Sequence, residues 1–157
     1  MLFVFVEGSD DERFFKHYYR SSNVKIIQYA RMSNKEFTNY VNTIKINNDY
    51  IVITDSDGAT EDEKKKIFVE KHPCCEYSKV YVARWEIESW YLAGWSSKEA
   101  EKYKVKYIYN TNQVSKEKFR SLTPKNFDSV SFQMEILKTF DCSLAISRNT
   151  SFSTFAT

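Results

Sequence analysis

The feature that most constrains this chain is a set of short, unbroken apolar runs. Residues 2–6 (LFVFV) and 50–54 (YIVIT) are apolar and β-favouring throughout, and each is closed at once by acid and a turn residue. A strand with one face in water alternates apolar and polar side chains. A strand covered on both faces does not. Residues 24–30 (VKIIQYA) and 79–83 (KVYVA) supply two further runs. Helical patterns separate them at 10–20, 33–46, 60–71 and 86–95, the second with Phe37, Tyr40, Val41 and Ile44 at helical spacing. Ser9, with Glu12 three residues on, is expected to cap the first helix. Alternation of strand and helix predicts an α/β fold, a Rossmann-like parallel sheet of about four strands with helices on both faces. Beyond residue 96 the pattern weakens to a short helix and an extended piece, then helices near 127–139 and 141–156. One domain over 1–157 is expected, with the α/β core in 1–95 and a helical extension or cap in 96–157.

The charge balance excludes a strongly polyanion-seeking chain, since the net charge is only +2. Residues 1–97 hold 13 Lys and Arg against 15 Asp and Glu, whereas residues 98–157 hold 10 against 6. An acidic front and a basic back suit a metal site and a phosphate-contacting surface; chance variation over a solvated surface gives the same numbers. Cys74, Cys75 and Cys142 are odd in number and include an adjacent pair, which suits neither a disulfide framework nor a zinc set. A reducing cytoplasm is expected. No stretch has the roughly 20 apolar residues of a membrane span, and the N-terminus lacks a signal-peptide pattern. His17 and His72 are lone histidines, and His17 reads as a packing or surface residue rather than a general base.

The acids fall at matching places. Glu7 follows the first apolar run, and Asp55 and Asp57 follow the third. In a parallel sheet the C-terminal strand ends share one edge, where ligands bind. Residues far apart in sequence then meet if their strands are neighbours. Converging carboxylates raise one another's pKa, and a hard cation relieves the repulsion. Oxygen donors of this kind suit Mg2+ or Mn2+. In a tight turn, positions i and i+2 can aim at one point, and Gly58 lets the turn close. Taken alone, Asp55-Ser56-Asp57-Gly58 is equally a turn former. Glu7-Gly8 at the equivalent place after another strand turns the reading toward metal.

VFVEGSDDERFF followed by YIVITDSDG resembles the Toprim domain, shared by topoisomerases, bacterial-type primases, OLD-family nucleases and a ribonuclease of ribosomal RNA maturation. The resemblance covers about residues 1–95. It implies Glu7 as metal ligand or acid/base, and Asp55 and Asp57 as Mg2+ ligands. In the nuclease branch a second acid follows the glutamate by four residues; Asp11 fills that place, where it equally suits stabilisation of a helix N-terminus. ARWEIESWYLAG (83–94) resembles that branch's Glu-Ile-Glu-Asn-Tyr-Leu, with Ser89 and Trp90 replacing Asn and Tyr. Glu88 is then a further ligand and Glu86 a weaker one, with a solvated acid the rival reading. ISRNTSFSTFAT resembles the tail of small OLD-type proteins, with Phe152 and Phe155 in the core. Arg148 and Lys138 read as surface cations or phosphate contacts.

The resemblance implies a nuclease using one or two Mg2+ or Mn2+ ions to hydrolyse phosphodiesters of DNA or RNA, in repair, RNA processing or phage defence. A separately encoded ATPase or other subunit is an expected partner, since no P-loop motif precedes the Toprim-like part. Lys102, Lys104, Lys106, Lys118 and Arg120, with Lys98, Lys116 and Lys125, interleave with Tyr103, Tyr107 and Tyr109 in one stretch. Such interleaving contacts phosphates and stacks bases; a charged helix with a tyrosine-packed inner face gives the same pattern. Two other functions stay open: a non-catalytic metal- or nucleic-acid-binding subunit, and a small-substrate phosphoesterase.

Overall fold

The computed structural model describes residues 1–157. Strands β1 (Leu2–Val6), β2 (Val24–Gln28), β3 (Asp49–Asp55) and β4 (Val80–Ala83) form one all-parallel sheet in the order β2-β1-β3-β4. β1 is central: Leu2 to Val6 pair with Val24 to Gln28 on one side, and Leu2 to Phe5 with Asp49 to Val52 on the other. The chain therefore steps outward to β2, then returns across β1 to β3 and β4. Right-handed crossovers send the first connection to one face and the next two to the other. Helix α1 (Ser9–Tyr18) makes the first, and α2 (Asn34–Ile44) and α3 (Glu61–Lys71) the others.

Burial follows the same division. Strand alternation puts Phe5, Val52 and Val80 on one face. There they pack with Phe37, Val41 and Ile44 of α2 and Phe68 of α3. Val4, Val6 and Ile53 have the opposite parity and are wholly buried, and α1 buries Phe14 and Phe15 while contacting β1 and β2. Each fully buried ring or branched side chain contributes roughly 1.5–3 kcal/mol. This two-sided burial explains why β1 and β3 are apolar without alternation.

The chain divides into two compact units, Met1–Val82 and Ala83–Thr157. The second is helical: α4 (Glu88–Ala93), α5 (Ser97–Lys102), α6 (Lys116–Leu122), α7 (Ser129–Lys138), α8 (Cys142–Arg148) and α9 (Thr150–Ala156). Its buried side chains include Trp90, Tyr91, Phe119, Phe132 and Phe152. No helix is long and apolar enough to cross a membrane.

Three sequence expectations need correction, and one helix was not foreseen. Gly8, not Ser9, caps α1 in extended backbone, because the Asp11 carboxylate accepts the Gly8 N–H at 3.1 Å and starts the helix one residue earlier. Glu12 instead accepts from Lys16 and Gln28. The expected terminal helix is two helices, broken at Asn149, whose extended backbone ends α8 and whose Oδ1 accepts the Phe152 N–H to start α9. Helix α6 had no sequence signal beyond charge; it buries Phe119 and is capped by Ser115, which accepts the Lys118 N–H. Arg148 is not a surface cation. It is 7% exposed and donates to the carbonyls of Leu92, Ala93 and Trp95 at 2.7, 3.0 and 2.6 Å, and also to that of Ile108. It thereby satisfies carbonyls left open at the end of α4, with its guanidinium 4.2 Å from the Tyr107 ring centroid.

Candidate functional site

In a sheet of this order, the strand sequence reverses between β1 and β3, and the C-terminal ends of those strands flank a crevice. Glu7 leaves β1 there, and Thr54 and Asp55 end β3. The Glu7 carboxylate ties the two ends together. Its Oε1 accepts from Thr54 Oγ1 at 2.6 Å, from Tyr29 OH at 3.2 Å and from the Asp55 N–H at 3.3 Å. Its Oε2 accepts no such bond. Tyr29 lies just past the end of β2, so three strands converge on one carboxylate. Burial, reinforced by the charge of Glu7, pushes the Tyr29 phenol well above its ordinary range, so it remains a neutral donor.

Thr54 shares the face of Val52, and Glu7 that of Phe5. Asp55, one residue on, has the opposite parity. Its Oδ1 is buried. The turn that follows carries two successive left-handed residues, Asp57 at φ 50 and Gly58 at φ 89. Glycine takes this geometry freely, and aspartate is among the few other residues that tolerate it. The Asp57 side chain is 62% exposed and accepts from Lys64 Nζ at 3.2 Å. No group of three or more Asp, Glu, His or Cys side chains stands together at metal-binding spacing. The pleat and the left-handed turn explain this: Glu7 and Asp55 leave adjacent strands on opposite faces, and Asp57 leans to α3.

A divalent cation nevertheless fits these donors in kind. Mg2+ keeps several waters and takes one or two carboxylates. Glu7 Oε2 is uncommitted, and Asp57 is held only by an exposed ion pair of the sort that contributes about 0–1 kcal/mol.

The other acids and cations sit as follows. Asp11 is buried and serves the start of α1 through Gly8. In the second unit Glu88 is buried as the first residue of α4, and Glu86 accepts the Lys116 N–H at the start of α6. Lys102, Lys104, Lys106, Lys118 and Arg120 are all exposed. Tyr103 is committed inward: it donates to Glu135 at 2.6 Å and packs on Trp95 and Phe127. Tyr109, at 80% exposed, is the open ring of the three tyrosines.

Sequence reasoning missed Tyr29, Thr54 and Lys64. Tyr29 was findable, because the end of β2 lies on the same sheet edge as the acids. Lys64 carried no signal, lying among three consecutive lysines of a charged helix. A cavity of about 330 Å3 opens beside Glu7, between the residues that follow β2 and one side of α3. No protein family, curated protein or solved structure matches this chain.

Proposed function

We propose that this chain is a metal-dependent phosphodiester hydrolase acting on nucleic acid, with Glu7, Asp55 and Asp57 as its working carboxylates. The observation that carries the reading is the set of bonds tying Glu7 at the end of β1 to Thr54 and Asp55 at the end of β3, at the sheet's switch point. A carboxylate held fixed at that edge, as Glu7 is, is what a cation-assisted reaction requires. The Toprim-like order of Glu7-Gly8 and Asp55-x-Asp57 supports the same chemistry.

Glu7, with Asp55 or Asp57, would hold a divalent cation, which would supply charge to acidify an attacking water and offset the phosphate's negative charge. The protein's own groups do the rest. Three donors on Oε1 fix the Glu7 carboxylate, so Oε2 is presented without a rotamer search. Tyr29, kept neutral by burial, donates a hydrogen bond to Glu7 without adding a second negative charge. Lys64 and Lys71 place positive charge beside the same cavity, where a phosphodiester is drawn in. In the second unit, exposed Lys102, Lys104, Lys106, Lys118 and Arg120 are proposed to contact backbone phosphates. The thiols of Cys74, Cys75 and Cys142, none of them in a disulfide, suit work in the cytoplasm.

A second reading is favoured by the Lys64–Asp57 pair, which commits one acid to a protein cation: a nucleic-acid-binding module without turnover. Asp55→Ala separates the two. Loss of Mg2+- or Mn2+-dependent cleavage in the variant supports hydrolysis. Binding that survives Asp55→Ala, with no cleavage by the wild type, supports the module.

A further inference from the structure

The cavity beside Glu7 is lined by groups that carboxylate chemistry alone does not need. Its floor is aromatic: Tyr29, Phe37, Phe68 and His72 line it together. They pack as one cluster, with Phe68 and His72 centroids 4.7 Å apart, Phe37 and His72 4.9 Å, and Tyr29 and Phe37 5.4 Å. His72 is 6% exposed, and burial lowers its basicity, so the ring is a neutral aromatic surface at pH 7. Its Nδ1 is buried with no hydrogen-bond partner. Lys64 and Lys71 stand two turns apart on the side of α3 that lines the cavity, with half-exposed Ile67 between them. Glu7 closes the inner edge.

A purely apolar ligand has no use for two lysines, and free phosphate has no use for four rings. A base with its phosphate uses both. The volume, about 330 Å3, is at the small end of ligand pockets, which span roughly 300–1,000 Å3. We infer that the cavity receives one unpaired nucleotide of a nucleic-acid strand, its base against the Tyr29–Phe68–His72 floor and its phosphate toward Lys64 and Lys71. This assignment rests on the reading of the Glu7 edge as the site of phosphodiester hydrolysis. It makes the substrate a single strand, a frayed end or an extruded base, because a base stacked in a closed duplex cannot enter a pocket.

The test is binding in EDTA, where cleavage is silent. A fluorescent short single-stranded oligonucleotide is compared with a closed dumbbell duplex of the same sequence, on the wild type, Ile67→Trp and Lys71→Glu. Ile67 and Lys71 are exposed, so both variants are expected to melt as the wild type does. The wild type is expected to prefer the single strand by about tenfold, and each variant to lose about tenfold on the strand and nothing on the dumbbell. Adenosine monophosphate is expected to shift the aromatic NMR resonances of Tyr29, Phe68 and His72 in the wild type but not in Ile67→Trp. Equal affinity for strand and dumbbell, wild-type strand binding by Ile67→Trp, or nucleotide binding that moves no cavity resonance overturns the assignment. If the strand preference and its loss in Ile67→Trp hold while the wild type cuts nothing with any metal, the cavity stands and the hydrolase reading falls. If metal-dependent cleavage holds without strand preference, the reverse is true.

Discussion

Tyr29 and His72 illustrate how burial sets the state of single side chains here. Burial keeps the Tyr29 phenol neutral, and its O–H is satisfied by Glu7 Oε1, which also accepts from Thr54 Oγ1 at 2.6 Å and from the Asp55 N–H. In His72 too, burial disfavours the charged form, and Lys71 adds to the effect. Its folded pKa therefore lies below the unfolded value of about 6.5. As pH falls below that value, the unfolded chain takes up the proton first. The stability contributed by neutral His72 is thus present above about pH 6.5 and lost as pH falls through the folded pKa. The thermal midpoint is expected to drop between pH 7 and pH 5, and to drop less in His72→Phe, which keeps an aromatic ring against Phe37 and Phe68. His17, shifted the same way by burial and by Arg20, accounts for a residual slope. An unchanged pH dependence in His72→Phe would remove His72 from the account.

Among elements, the strands were legible and the helix boundaries of the second half were not. Short, β-favouring apolar runs closed by turn residues and separated by helical patterns fit parallel strands covered on both sides, so the sheet, and the placing of Glu7, Asp55 and Asp57 after its strands, followed from the sequence. The break at Asn149 was hidden because ISRNTSFSTF carries no proline or glycine to mark it. What breaks the helix is tertiary: Asn149 donates to Ser89 Oγ at 3.2 Å and Thr111 Oγ1 at 3.0 Å, while its Oδ1 accepts from Phe152 N–H and Ser151 Oγ. Replacing a cap costs about 0.5–2 kcal/mol, and stranding a buried hydroxyl partner adds about 1–3 kcal/mol. Asn149→Ala is therefore expected to lose about 3 kcal/mol in denaturant unfolding. A loss below about 1 kcal/mol would mean that this network is not what separates α8 from α9. Thr54, 47 residues from Glu7, escaped sequence reading for the same reason, since nothing local marks it; Tyr29, 22 residues away, was marked only by its place at the end of β2.

At the scale of the whole molecule, a net charge of +2 hides an uneven distribution. The first unit concentrates acids at one sheet edge, whereas the second displays Lys102, Lys104, Lys106, Lys118 and Arg120 to solvent. Cations that neutralise phosphates release counterions, so affinity falls with salt roughly in proportion to their number. Lys104→Gln and Lys106→Gln are each expected to weaken nucleic-acid binding without regard to sequence and to lower the salt slope by about one. A slope unmoved by the double variant would assign those lysines to solvation alone.

The central claim is that Glu7 works with a divalent cation to cut phosphodiesters. Its most direct test is incubation of labelled single- and double-stranded DNA and RNA with the wild type and Glu7→Gln, in Mg2+, Mn2+ or EDTA. The account predicts cleavage by the wild type in at least one metal, none in EDTA, and loss of about a hundredfold or more in Glu7→Gln. Cleavage that persists in EDTA or survives Glu7→Gln, or a wild type that cuts none of these substrates with either metal, would contradict it.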